Sequence, residues 1–327
     1  YIFYLMDAME NGDVVVSSEG VWGPYVGDAH YPAGDNYQYC DFVSSKISWN
    51  GEIFEVEEGN VNHPVTVQLL EGEYSANSKG EIFPVNMIRW VSLNGSGMET
   101  SVLDGEGLAK NVISIFKTEN FTISNLAVTG GNGIQGGGIF ISNATPTINN
   151  VRVYNNYAHS GGGIFIQEAD PVLTNIYIDN NSRRGILFQH TDAHVENLNV
   201  NNNECRTSSC VGGGIGIYYS NITIIGGEVS YNVAERMGGG FFIRSSDLFI
   251  SDMLIHHNVA GLDEWWGHGG GGINMNDSSP TIVNTEIYEN NACVGNSYYC
   301  TGGGIRYKHG EGDPTLINVE PCFIASI

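Results

Sequence analysis

Two kinds of segment alternate along the chain. The first is a glycine triplet followed by apolar residues at every second position. It recurs as GGGIFIS from Gly136, GGGIFIQ from Gly161, GGGIGIY from Gly212, GGGFFIR from Gly238, GGGINMN from Gly270 and GGGIRYK from Gly302, with RRGILFQ from Arg183 in the same place. The first positions are 25, 22, 29, 26, 32 and 32 residues apart. The second kind is an apolar alternation running into asparagine: NNVRVYNN from Asn149, TNIYIDNN from Thr174, ENLNVNNN from Glu196, ISDMLIHHN from Ile250 and VNTEIYENN from Val283. Period two is the pattern of a strand with one buried face. Each repeat therefore predicts one strand after the triplet and one before the asparagines. A third short strand, such as PTI at Pro146 or Pro280, completes the rung. Variable spacing around a constant segment marks insertions in one turn rather than a change of fold.

Composition agrees with this. Glycine (44 residues) and asparagine (35 residues) both tolerate positive φ, so the chain must turn tightly and often, which disfavours helices. Stacking the rungs about 4.8 Å apart gives parallel sheets around a narrow core. The predicted class is all-β, a right-handed single-stranded parallel β-helix of three sheets. The asparagine pairs Asn155/Asn156, Asn180/Asn181, Asn202/Asn203 and Asn290/Asn291 fall at one position of the coil, where stacked amides can hydrogen-bond from rung to rung and cap turns.

These GGGI rungs resemble the pectate-lyase-like superfamily of extracellular β-helix repeat proteins, and the Gly-Gly-apolar repeats of bacterial surface and autotransporter β-helices. The resemblance extends over roughly residues 60 to 320. PVTVQLLEGEYS from Pro64 and IRWVSLNGSGMETSVLDGEG from Ile88 are similar to that superfamily's opening rungs. Residues 1–60, aromatic and irregular, are expected to cap the first sheet edge, and 61–327 to form the β-helix. The final PTLINVEPCFIASI reads as half a rung, so the C-terminus is expected to be truncated.

Six cysteines stand at positions 40, 205, 210, 293, 300 and 322. Cys205 with Cys210 and Cys293 with Cys300 bracket the polar segments CRTSSC and CVGNSYYC, each just ahead of a triplet, and read as loop-closing disulfides in an oxidising compartment. The expected location is extracellular, secreted or at the cell surface. The pairs lack the CxxC spacing of a zinc site. With 36 acidic and 13 basic side chains the formal charge is −23, which argues against nucleic acid and anionic lipid as partners. No apolar run approaches the roughly 18 residues of a membrane span.

Candidate chemistry gathers on the last rungs. With the first and third residues after each triplet facing the core, the second and fourth are expected to face solvent. The second-position row reads Phe140, Phe165, Leu187, Gly216, Phe242, Asn274, Arg306, and the fourth reads Ser142, Gln167, Gln189, Tyr218, Arg244, Asn276, Lys308. The aromatic start suits a partner or sugar rings, or lies beneath a flanking loop. The cationic end focuses an anionic ligand despite the general repulsion, unless each cation merely pairs with a nearby acid. Trp265 and Trp266 in one long turn, and Tyr298 and Tyr299 in another, could stack on sugars or simply pack the turns down. Asp263, Glu264 and His268 are acid, base or metal candidates, with Asp263 and Glu264 as candidate Ca²⁺ ligands.

Gly267-His268-Gly269 and Arg306-Tyr307-Lys308 also resemble the G-H-G and R-x-K motifs of polygalacturonase-like glycoside hydrolases. That family's N-T-D and paired aspartates are missing here, with only Asp247 about one rung earlier. β-Elimination beside a uronate demands less: a base, from His268 or Lys308, and a cation such as Arg244 on the carboxylate. Two classes follow. One is an extracellular lyase or hydrolase, or a binder, of acidic polysaccharide, using Lys308, Arg244 and His268 with Arg306, Asn274, Asn276, Tyr218 and the aromatic turns. The other is a non-catalytic adhesin or structural repeat.

Overall fold

The computed structural model describes residues 14–17, 20–22, 44–49, 52–57, 61, 64–107, 111–207, 210–262, 268–292, 300–307, 314–321 and 324–326, by backbone alone at 14–57, 268, 300, 301, 321 and 324–326. The chain is a right-handed parallel β-helix of about seven turns. Strands following the triplets form a ten-stranded parallel sheet running from Val85–Asn86 to Ile324–Ser326, here called the short-strand sheet. Its register is unbroken: Ile139, Ile164, Ile186, Ile215, Phe241, Ile273 and Ile305 are successive partners. At the N-terminal end, Val14–Ser17 adds in parallel to Val65–Leu69 and pairs antiparallel with Gly20–Trp22, while Ser44–Trp49 and Glu52–Glu57 form a hairpin.

The asparagine segments are longer than the alternation predicts. Thr145–Tyr154, Val172–Asp179, His194–Asn201, Thr223–Ser230 and Phe249–His256 each pass through positive-φ backbone, at Asn150, Asn175, Asn197, Gly226 with Gly227, and Asp252. Such a residue bends the strand without ending its pairing, so one hydrogen-bonded sheet presents two faces, and three faces enclose the core. The predicted third strand at Pro146 is thus the first half of Thr145–Tyr154. In a later rung the bend at Asn284 separates Thr281–Val283 from Glu286–Tyr288.

Inside, side chains stack in columns of like shape. Ile115, Ile141, Ile166, Phe188, Ile217, Ile243 and Met275 form one on the short-strand sheet, and Val128, Val153, Ile178, Val200, Val229, Ile255 and Ile287 another on the bent sheet, all buried. Each residue removed from water contributes about 1.5–3 kcal/mol, so repetition along the columns supplies most of the stabilisation.

A polar column runs beside them. Asn156, Asn181, Asn203, Asn232, Asn258 and Asn290 stack at the corner leading from the bent sheet to the triplets. The backbone N–H of each of the first five donates to Oδ1 of the next, at 2.9, 2.9, 3.0, 3.0 and 3.0 Å. Their Nδ2 groups donate to the carbonyls of Val128, Val153, Ile178, Val200, Val229 and Ile255 in the preceding rungs. Each amide thereby satisfies backbone groups that the turn leaves unpaired in a dry interior.

The ladder explains the glycines. A Cβ on Gly214, the third of its triplet, would lie 2.9 Å from Asn232 Nδ2, and the first glycines hold left-handed backbone, as Gly161 does at φ 59°. Triplet and asparagine are two halves of one corner. Asn232 and Asn258 belong to the ladder although no asparagine pair marks them. In the last pair the member is Asn290, because Glu289 takes the left-handed slot and Asn291 opens the short strand Asn291–Ala292.

Asn203→Ala removes an acceptor for the Asn181 N–H and a donor to Ile178. At about 1–3 kcal/mol for each buried group left unsatisfied, the variant should lose roughly 2–4 kcal/mol of stability, read from the midpoint of urea unfolding.

Candidate functional site

The outer side of the short-strand sheet carries the two rows that the alternation predicts, and they differ in kind. The second-position row does not face solvent as expected. Phe165, Leu187, Phe242 and Asn274 are buried. Phe140 and Phe165 stack with centroids 6.0 Å apart and planes 3° apart, and Tyr218 leans on Phe242 at 5.5 Å. The row forms a second, outer apolar layer rather than an open platform.

One break in that layer is filled from a neighbouring rung. Gly216 leaves a gap between Leu187 and Phe242, and the Arg184 side chain occupies it. Arg184 is buried, and its guanidinium donates from Nε to the carbonyls of Val211 (3.1 Å) and Gly212 (2.9 Å), and from Nη2 to Val211. Burial pushes its pKa down from the ordinary value, while the Tyr218 phenol, whose ring centroid is 5.9 Å away, opposes that shift. Sequence reasoning passed over Arg184. The available signal was paired: RRG stands where other rungs have GGG, and one rung later Gly216 stands where its neighbours have Leu187 and Phe242.

The fourth-position row begins with a buried Ser142 and opens from Gln167 onward. Gln167, Gln189, Tyr218, Arg244 and Asn276 are successive register partners, one per rung. Arg244 is exposed, and among the described residues its guanidinium meets no carboxylate. Three other arginines do pair with acids: Arg89 meets Glu119 at 2.7 Å, Arg152 meets Asp179 at 2.9 Å and Glu99 at 3.2 Å, and Arg206 meets Glu204 at 2.6 Å. On the open row Arg244 has Tyr218 on one side and Asn276 on the other.

Asn274 and Arg306 follow Phe242 in the inner row. Asn274 Nδ2 donates to Gly269 at 3.3 Å, and its Oδ1 is buried without a partner among the described residues. Arg306 is half-buried, with Nη1 3.7 Å from the Met237 sulfur, and burial lowers its pKa. The structure thus brings together Tyr218, Arg244 and Asn276 on the open row and sets Asn274 and Arg306 beneath it. The backbone of His268 pairs with that of Cys300 on the next rung. Lys308, Trp265, Trp266, Tyr298, Tyr299, Asp263, Glu264 and Cys293 lie outside the described residues.

Cys205 and Cys210 are joined in a disulfide, with Cα atoms 5.5 Å apart. Among the described residues, no group of three or more His, Cys, Asp or Glu side chains is placed to hold a metal ion, and no helix is long and apolar enough to cross a membrane.

The Arg184–Gly216 fit can be tested by a double-mutant cycle. A Cβ on Gly216 would lie 2.9 Å from Arg184 Nε. Gly216→Ala should cost about 1–3 kcal/mol in the native chain but less than about 0.5 kcal/mol in an Arg184→Gly background, both read by urea unfolding.

No protein-family profile matches the chain, and no curated protein matches it in sequence. Among solved structures it is similar to the enzymatically active domain of tailspike protein 2 of bacteriophage CBA120, at 13% identity and a TM-score of 0.47, over 88% of this chain and 46% of that one. The chain therefore spans about half of that domain's length. It is also similar to the A-module of the Azotobacter vinelandii mannuronan C-5 epimerase AlgE4, at 15% identity and a TM-score of 0.35 over 82% and 91% of the two chains. A third is a pectin methylesterase solved with a hexasaccharide, at 10% identity and a TM-score of 0.37 over 77% and 84%.

Proposed function

We propose that this protein binds an extended acidic polysaccharide along the open row of the short-strand sheet. The observation that carries the reading is Arg244, an exposed guanidinium without a carboxylate partner among the described residues, in a chain of net charge −23. A protein so acidic repels uronate polymers over most of its surface, so a bound uronate needs a local cation. Guanidinium is suited to carboxylate because its donors form a planar fork. Rungs about 4.8 Å apart present Gln167, Gln189, Tyr218, Arg244 and Asn276 as a linear series of hydrogen-bonding groups. A straight polymer can follow such a series one group after another.

Turnover is the further part of the proposal. Arg244 would hold the uronate carboxylate and Lys308 or His268 would take the proton in a β-elimination, with Arg306, Asn274 and the turns bearing Trp265, Trp266, Tyr298 and Tyr299 completing the cleft. Ca²⁺ at Asp263 and Glu264 is the cation that this reading allows. The disulfide between Cys205 and Cys210 supports an oxidising, extracellular setting.

Affinity electrophoresis in gels containing alginate, polygalacturonate or a neutral glucan tests binding, with absorbance of unsaturated products and release of reducing ends as readouts of turnover, each with added Ca²⁺ and with chelator. Retardation by a uronate polymer that exceeds that by the neutral glucan is expected. Arg244→Ala should weaken it about tenfold or more, the scale of a hydrogen bond to a charged group. Equal retardation by the neutral gel, or none by any polymer, refutes the acidic-polysaccharide reading and leaves the scaffold alternative. Absorbance gain marks a lyase, and reducing ends without it a hydrolase.

A further inference from the structure

Away from the open row, four rings gather at the outer edge of the bent sheet, where the asparagine corner begins. Ser230, His256 and Tyr288 are register partners on three rungs. The residues after them, Tyr231, His257 and Glu289, hold the left-handed slot that Asn155, Asn180 and Asn202 hold in earlier rungs. Left-handed backbone is unfavourable for side chains bulkier than asparagine, so the corner gives up its best residue on three successive rungs. Tyr231 stacks on His257 at 4.8 Å and His256 on Tyr288 at 4.8 Å, and the two imidazoles meet nearly edge to face at 84°.

The polar atoms form a chain. Glu228 Oε1 lies 3.3 Å from His256 Nε2, and Glu289 Oε2 lies 2.8 Å from His257 Nε2. Between the rings, His256 Nδ1 and His257 Nδ1 face one another at 2.8 Å. Carboxylates at both outer nitrogens favour Nε2–H on both rings, which leaves the two Nδ1 atoms as lone pairs. With both rings in that tautomer the facing lone pairs repel, and the contact is relieved either when one ring carries Nδ1–H and donates to the other or when a cation takes both lone pairs. Carboxylate, imidazole and a free ring nitrogen in sequence is the arrangement by which proteins orient histidine ligands to a metal ion.

We propose that His256 and His257 chelate a divalent transition ion through their Nδ1 atoms, with Glu228 and Glu289 fixing the tautomers from behind and water completing the shell. Imidazole suits zinc, copper and nickel, whereas calcium and magnesium take oxygen ligands. The surroundings favour a cation, because Glu228, Glu286 and Glu289 supply negative charge there. His257 is partly exposed, so ions can reach the pair, while His256 is nearly buried and rigidly packed. With two protein ligands the site is expected to be of micromolar rather than structural affinity.

Isothermal titration of tag-free protein with Zn²⁺, Cu²⁺ and Ca²⁺ tests the proposal. One equivalent of Zn²⁺ or Cu²⁺ should bind, with no comparable heat from Ca²⁺, and the Cu²⁺ form should show two nitrogen ligands by electron paramagnetic resonance. His257→Asn restores the residue that earlier rungs carry in this slot, so it should fold as well as the native chain by thermal melting while losing at least tenfold in affinity. Glu289→Gln should weaken binding by about tenfold, the low end for a lost outer-shell carboxylate. His194→Asn, on another rung, should change nothing. Absence of the stoichiometric site, or affinity undiminished in His257→Asn, overturns the proposal.

Discussion

The asparagine ladder is the constraint on which the coil depends. A parallel β-helix must turn its chain at every rung inside a stack, and at the inner corner those turns leave backbone donors and acceptors where water cannot reach them. A single amide side chain offers a donor and an acceptor on one rigid plane. Asn203 uses both, accepting from the Asn181 N–H and donating to Ile178. Aspartate would lack the donor and bury a charge, and a hydroxyl could not span both groups. The amide in turn needs an empty space across the corner, which the third glycine of each triplet provides. Apolar columns supply most of the stabilisation, but the polar column fixes the register in which they stack.

This division of labour explains what could be read from sequence. Alternation located the strands because inner positions face a dry core on every rung, and the glycine triplets and asparagine pairs located the corners. The bend inside the long strands was not legible. Asn150 and Asn175 lie within apolar alternation and look like solvent-facing strand residues, although their backbone is left-handed. Asn232 and Asn258 escaped as ladder members because the neighbouring slot had been given to Tyr231 and His257.

The outer layer was harder for a different reason. Period two distinguishes inward from outward, yet it cannot say whether outward means wet. Phe165 and Phe242 point away from the core and are nevertheless buried, whereas Arg244, on the adjoining row, is exposed. Arg184 shows the limit most clearly. It is a charge buried in the outer layer, tolerated because backbone carbonyls at Val211 and Gly212 accept from it and because Gly216, a rung away, has no side chain. That dependence joins residues 32 positions apart and leaves no local pattern.

A fold so repetitive makes departures informative. Where the inner columns demand one shape on every rung, substitution is costly and the sequence stays regular. At the left-handed slots and on the outward rows the backbone permits more, and asparagine is merely the least strained choice. A residue that replaces it there carries a conformational cost that the coil itself does not require. Three such replacements on consecutive rungs bring Tyr231, His257 and Glu289 together with His256, Glu228 and Tyr288, on an edge distinct from the row that carries Arg244. The coil carries bulky left-handed residues elsewhere too, at Glu168, His190 and Tyr219 on successive rungs of another corner, so what distinguishes the Tyr231 edge is the convergence of two imidazoles between two carboxylates.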